Sequence, residues 1–247
     1  MYNKLQEKLK QVLREQDLLD KEIHIETAVL KPDEAIGTPK RQDYPLLKGK
    51  EVLMQATFMN SRGQAYTDAP SRFSGCIGEI AELELKGSRK MALFIAALNA
   101  VLRHTDPDLK TIHCKDEGPE RCARKIAAYV EGLHPASVGI VGLQPAILEE
   151  ITVCMGPDRV YCIDRDEDIR GQVKHGVSIE WGDDRGLERV FTKSSVVLAT
   201  GSSSANGSLP DILAMSQNTD TPVYFFGTTI AGTARVMGLR HLCYESA

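Results

Sequence analysis

VGIVGLQPAILEEI (138–151) is the stretch that decides the fold. A short apolar run, of the kind buried on both faces of a parallel strand, passes through Gly142-Leu143-Gln144-Pro145 into a segment with helical spacing. The same grammar recurs at Val160 to Ile163, Val196 to Ala199, Val223 to Phe226 and in a last short run near Leu242. Each run but the last ends in turn or hydroxyl residues: Asp164-Arg165-Asp166, Thr200 to Gly207, and Gly227 to Gly232. Strands alternating with helices predict an α/β fold with a parallel sheet flanked by helices, and a ligand site beyond the carboxyl ends of its strands, where the strand order reverses.

Before this region the grammar differs. Leu133-His134-Pro135 ends a helix and marks a linker, which predicts a small α+β domain over 1–134 and a Rossmann-like domain over 135–247. The chain opens on strong helix formers with an apolar stripe at Leu5, Leu9, Val12 and Leu13. Glu22 to Leu30, Glu51 to Met59 and Gln64 to Thr67 have β character, the last two joined at Ser61-Arg62-Gly63, so a small antiparallel sheet is expected. A helix capped by Ser88 and running to about His104 follows; Met91 to Leu102 is apolar on every side except at Asn99. Such a helix must be buried all round, and Asn99 must then satisfy its amide on a neighbouring loop or on a ligand. A further helix starts near Pro119 and continues through Ile126, Val130 and Leu133.

Composition narrows the function classes. With 247 residues, 42% hydrophobic and 26% charged, the chain has ordinary globular composition, and a net charge of −4 gives no basic excess for tracking nucleic acid. No apolar stretch approaches the ~20 residues that span a bilayer, and the lysine-bearing first ten residues lack a signal-peptide core, so no membrane is expected and a cytoplasmic location is. Six scattered cysteines without a CxxC pair predict small buried hydrophobes, Cys154 and Cys162 among them, and no disulfides.

The loops carry the candidate site. In the first, Gly139 and Gly142 are present but the GxGxxG spacing is not, and Pro145 stands where the helix would make its close approach, which weakens a nicotinamide or flavin reading. Asp164 lies about 20 residues past the glycine turn, the place of a ribose-binding acid, although Asp also serves in turns. Thr200-Gly201-Ser202-Ser203-Ser204-Ala205-Asn206-Gly207-Ser208 offers backbone N–H groups, hydroxyls and an amide; a Ser208/Asp211 capping pair leaves Thr200, Ser202 and Asn206 for an anion or polar small molecule. Gly227-Thr228-Thr229 repeats the design, and for both loops the alternative is a solvated connection. There is no GxSxG elbow, Walker loop, HExxH or Ser-His-Asp order, so nothing marks a nucleophile.

His113-Cys114-Lys115-Asp116-Glu117 gathers every common transition-metal ligand type. If Thr111 to Lys115 is a strand, His113 and Cys114 face opposite ways, leaving His113 with Asp116 or Glu117 as metal ligands; the alternative is a loop that caps a helix through Asp116 or Glu117. Cys122 continues the stripe of Ile126 and Val130, but in a helix's first turn its thiol pKa can be lowered.

ALNAVLRH (97–104), HCKDEGPERCA (113–123), VGIVGLQPAILEEI (138–151), VLATGSSSANGSLPDIL (197–213) and VYFFGTTIAGTARVMGLRHL (223–242) resemble, in that order, a family of two-domain heavy-metal-chelation proteins first catalogued as a domain of unknown function. The resemblance implies an enolase-N-terminal-like domain, a Rossmann-like domain and a ligand cleft between them. It points to Thr200-Gly201, Asn206-Gly207, Gly227 to Thr229 and the Asn99 helix; the run Ser202-Ser203-Ser204 departs from its pattern. What it implies for function is a metal or metal-bearing small anionic molecule, in chelation or cofactor synthesis in an anaerobe. The alternatives are an enzyme using S-adenosylmethionine or a nicotinamide nucleotide at Gly139, Gly142 and Asp164, and a metabolite-sensing regulatory module. A homodimer is expected because symmetric dimers are the commonest oligomers.

Overall fold

A computed structural model describes residues 1–26, 36–48 and 52–247. The parallel sheet forms where the apolar runs placed it: β5 (Val138–Val141), β6 (Val160–Asp164), β9 (Val196–Thr200), β10 (Val223–Phe226) and β11 (His241–Leu242). The sheet order is β11-β10-β9-β5-β6-β8-β7, and only β7 (Val173–Lys174) runs antiparallel, against β8 (Val177–Trp181). Taken from β8 through β6 and β5 to β9, β10 and β11, the parallel strands have the doubly wound order, with its reversal between β5 and β9.

Strand β8 is absent from the sequence reading. Its burial alternates, Val177 and Ile179 inward and Ser178 outward, because its outer neighbour is only a two-residue strand. A search for continuous apolar runs passes over such a strand. The missed signal was His175-Gly176, both with positive φ (51° and 79°), a hairpin turn between β7 and β8.

The first half forms a four-stranded antiparallel sheet in the order β3-β2-β1-β4, from β1 (Glu22–Glu26), β2 (Val52–Phe58), β3 (Ser61–Thr67) and β4 (Phe73–Cys76). The hairpin at residue 61 is present, with Phe58 paired to Ser61. Residues 27–30 and 51 of the expected strands lie outside the described residues. Helix α1 (Tyr2–Glu15) buries the expected stripe of Leu5, Leu9, Val12 and Leu13, and a short α2 (Ile77–Ala81) follows β4.

Helix α3 (Ser88–Thr105) explains its own composition. It lies on β2 and β3 with one face, while another meets α7 (Ser203–Asn206) and α9 (Ala231–Met237), so every residue from Ala92 to Leu102 is buried. Its cap is Gly87 at φ 79°, not Ser88, which is already the first helical residue. Helix α4 (Gly118–Glu131) lies before the expected linker in sequence, yet Cys122, Ile126 and Val130 share a core with Ile140, Ile147 and Ile151 of the parallel sheet and α5 (Pro145–Met155). Helices α6 (Asp184–Lys193) and α8 (Leu209–Thr219) cover the other face, where Val190, Phe191 and Ile212 pack on Val197 and Phe225. Among the described residues no helix is long and apolar enough to cross a membrane.

Candidate functional site

The two loops beside the strand-order reversal are in contact. Gly142 has φ 85°, and a Cβ there would lie 2.5 Å from Thr200 Cγ2, so only glycine lets the β5 loop pass under the β9 loop. Asp164, at the end of β6, holds the first loop from the other side: its Oδ2 accepts from Leu143 N at 2.6 Å and its Oδ1 from Asp166 N at 2.7 Å. In the β9 loop, Gly201 N donates to Phe226 O at 2.7 Å, and Ser204 Oγ donates to Gly201 O at 2.8 Å. Those bonds turn Ser203 and Ser204 inward and leave Thr200, Ser202 and Asn206 at the surface of a cleft.

Three adjoining chambers open there. The largest, about 390 Å³, is lined by Gly142, Asp164, Arg165, Asp166, Lys174, Thr200, Ser202 and Asn206 from the parallel-sheet side, and by Asp43, Tyr66, Asp68 and Ser88 from the facing half. A second, about 110 Å³, extends past Gly182, Asp183 and Asp211; a third, also about 110 Å³, reaches Tyr44, His113, Gly227 and Thr229. Thr200 and Ser202 line all three. The volume falls within the range of small-molecule sites, roughly 300–1,000 Å³.

No family model matches the chain, and no curated protein matches it. Solved structures do. A DUF364-family protein of unknown function from Pyrococcus horikoshii superposes with TM-score 0.56 at 13% identity, covering 92% of this chain and 78% of that one. Another, from Desulfitobacterium hafniense DCB-2, gives TM-score 0.51 at 15% identity, covering 76% of this chain and 73% of that one. In fold, the chain resembles DUF364 proteins. The DUF364-like likeness agrees with the α/β fold and with relatives catalogued as a domain of unknown function, and at these identities it speaks for the fold alone.

Several expected site residues are placed elsewhere. Asn99 is fully buried, and its amide is consumed: Nδ2 donates to Gln64 O at 2.8 Å, Thr229 O at 3.0 Å and Thr228 O at 3.4 Å, while Oδ1 accepts from Gly232 N at 2.7 Å. It joins the antiparallel sheet to the β10 loop and does not line the cleft. Thr228 is also buried away from the chambers, and Thr229 spends its hydroxyl accepting from Tyr66 N at 3.0 Å, touching only the third chamber. The Ser208/Asp211 cap does not form; Asn206 Oδ1 instead accepts from both Ser208 N and Ser208 Oγ, at 3.1 and 2.8 Å.

The proposed metal ligands do not converge. Residues 111–115 are not a strand: Ile112 exchanges backbone bonds with Ala247. His113 packs its ring edge-on against Tyr66 in the third chamber, and its backbone N–H donates to Gln64 Oε1 at 2.7 Å. Asp116, at φ 57°, accepts from Thr38 N at 3.0 Å, and Glu117 pairs with Lys40 at 2.6 Å on the surface. Neither Asp116 nor Glu117 caps α4 through its side chain or lines a chamber. Among the described residues no group of three His, Cys, Asp or Glu side chains is arranged to hold a metal ion.

A dinucleotide's pyrophosphate would sit at the N-terminus of the helix after β5. Here Pro145 supplies no N–H, and Gln144 Oε1 accepts from Ile147 N at 2.6 Å, so the helix end is capped from within. The charge of the main chamber points the same way: among the described residues four aspartates line it against Arg165 and Lys174. Burial raises the Asp164 pKa despite the two N–H groups it accepts from; at Asp43, burial is outweighed by the hydrogen bonds and charge of Arg41, which hold its carboxyl low. Asp43, Tyr66 and Asp68 had no signal in the sequence, since their role comes from folding β3 and the 36–48 segment over loops far along the chain.

Asp164 supports a pH prediction. Its folded pKa lies above the ordinary 3.8, so the native state binds the proton more tightly than the unfolded chain, and its contribution to stability falls as pH rises from 3.8 through the folded value. Asp164→Asn is expected to lack this fall. Parallel urea titrations of both proteins across the acid range check it, and identical pH profiles would contradict it.

Proposed function

We propose that the cleft binds a small polar molecule that carries positive charge or a hydroxylated sugar-like group, held at the strand-order reversal by Thr200, Ser202, Asp164 and Asp166. The meeting of three chambers at Thr200 and Ser202, under an aspartate-rich wall, is the observation that carries this reading. A metal-bearing small molecule with net positive charge fits it. An anionic one does not, because the lining carboxylates outnumber the cations. Direct chelation by His113, Asp116 and Glu117 is not part of the proposal.

The closed end of α5 favours a second reading, a nucleoside cofactor without a pyrophosphate. S-adenosylmethionine brings a sulfonium charge and two ribose hydroxyls to the Asp164 and Asp166 loop and needs no phosphate cradle. NAD and NADP need the helix end that Gln144 and Pro145 occupy.

Equilibrium dialysis of anaerobically prepared protein separates these readings, with S-adenosylmethionine, NAD, NADP and the ions Fe(II), Co(II), Ni(II) and Zn(II) as arms. Saturable S-adenosylmethionine binding, weakened at least tenfold by Asp166→Ala, supports the nucleoside form. Saturable binding of a metal ion by the protein alone would restore chelation. NAD binding tighter than that of S-adenosylmethionine would sink the argument from the capped helix.

A further inference from the structure

All six cysteines are free thiols, and three of them meet beside the first turns of α4: Cys114 just before it, Cys122 within it and, from far along the chain, Cys243 just after β11. Cys122 Sγ accepts from Tyr244 N at 3.5 Å, and the neighbouring Cys243 thiol and Glu245 N–H also favour its thiolate. Because Cys243 is one peptide link from Tyr244 N, its Cα lies within about 6 Å of the Cys122 sulfur, which makes the two cysteines neighbours. The tail that carries Cys243 is pinned on both sides. Glu245 is ion-paired with Arg121 at 2.8 Å and with Lys125, and Ala247 exchanges two backbone bonds with Ile112, at 2.9 and 3.1 Å.

We propose that Cys122 and Cys243 form a redox-active dithiol that a peroxide closes to a disulfide. In the first step the Cys122 thiolate attacks one peroxide oxygen; the S–O bond forms, the O–O bond breaks, and hydroxide leaves and is protonated by solvent. The Cys243 sulfur then attacks the Cys122 sulfenic acid, the S–S bond forms, and hydroxide departs, taking up the Cys243 proton as water. The two thiols are oxidised by two electrons and the peroxide is reduced to two waters or, for an organic peroxide, to water and an alcohol.

The surroundings assign the roles. Donation by the Cys243 thiol and by the Tyr244 and Glu245 N–H groups pulls the Cys122 thiol down to about 6, while the Cys243 thiol is pushed up by donating that hydrogen bond and by burial. Burial pushes Cys114 up to about 12, which leaves it a thiol. Cys122 is buried, and Cys243 is partly exposed as a residue while its thiol is buried, so an oxidant as small as a peroxide is required and a bulky disulfide is excluded. The disulfide would tether the tail that pairs with Ile112, next to His113 in the wall of the third chamber.

The test uses the whole chain, reduced, desalted and treated with one equivalent of hydrogen peroxide, followed by peptide mapping. The expected product is a Cys122–Cys243 cross-linked peptide pair that has lost two hydrogens and is restored by dithiothreitol. It should form at a rate that rises through pH 6, and it should persist in Cys114→Ser. In Cys243→Ser, Cys122 should instead be trapped as a sulfenic acid by dimedone. Oxidation confined to the partly exposed Cys76 and Cys154, a Cys114 cross-link, or a rate that rises only near pH 9 would overturn the proposal.

Discussion

Asn99→Ala is expected to lower folding stability by about 4 kcal/mol, because it orphans the Gly232 N–H and removes the side chain that bonds the Gln64 and Thr229 carbonyls inside a fully buried joint. At roughly 2–4 °C per kcal/mol for a chain of this size, the thermal midpoint should fall by about 10 °C. Asn99→Asp is the informative companion. It keeps the acceptor for Gly232 but loses every donor and buries a charge, so at neutral pH it should be at least as unstable, recovering in part as acid protonates it. Circular dichroism melts of both variants check this. An Asn99→Ala protein within 1 kcal/mol of wild type would mean that the joint is not built as described.

Gly63→Ala should be comparably damaging for a different reason. A Cβ at Gly63 would lie 2.2 Å from Ala100 N, 2.5 Å from Ala96 O and 2.6 Å from the Asn99 carbonyl carbon, all backbone atoms of α3 with no rotamer to turn aside. The helix would have to lift from β3, which breaks packing along its whole buried length; a loss of about 3 kcal/mol or more is expected. Gly238→Ala separates this contact from ordinary glycine strain. Gly238 is left-handed helical, at φ 68° and ψ 33°, but has nothing within 4 Å of its would-be Cβ, so it should cost only about 1 kcal/mol. Equal losses in the two variants, read from urea midpoints, would contradict the close helix–strand approach.

These two residues mark what the sequence could and could not tell. The parallel strands were legible because burial on both faces leaves an uninterrupted apolar run, as at Val196 to Ala199, and the end of each run located the loops of the cleft. Helix α3 was legible as buried all round, and so was the demand that Asn99 find partners. Which partners it found was not, since the loop at Thr228 to Gly232 lies about 130 residues away in the chain and the amide chemistry suits a carbonyl as well as a ligand. The same ambiguity attends the metal ligands read from sequence. His113, Asp116 and Glu117 are adjacent in sequence, but a positive-φ turn at Asp116 sends their side chains to Tyr66, Thr38 and Lys40. The cysteines failed in the opposite way: spacing along the chain gave no hint that Cys122 and Cys243 meet, because the meeting depends on the return of the tail to α4.

The cleft itself is tested most directly by filling it. Ser202 lines all three chambers and, among the described residues, its side chain makes one long hydrogen bond, with Thr200 Oγ1 at 3.4 Å, so Ser202→Leu should occupy their junction at little cost to folding. We would titrate S-adenosylmethionine into wild type and Ser202→Leu by thermal shift, with a metal-bearing cationic small molecule as the parallel arm. Ligand at about 100 times its dissociation constant stabilises by about 2.7 kcal/mol, which raises the midpoint by several degrees. That rise is expected in the wild type with at least one of the two ligands, and its loss in Ser202→Leu. A rise of equal size in both proteins would place binding elsewhere, and no rise with either ligand would contradict a cleft built for cationic or hydroxyl-bearing small molecules.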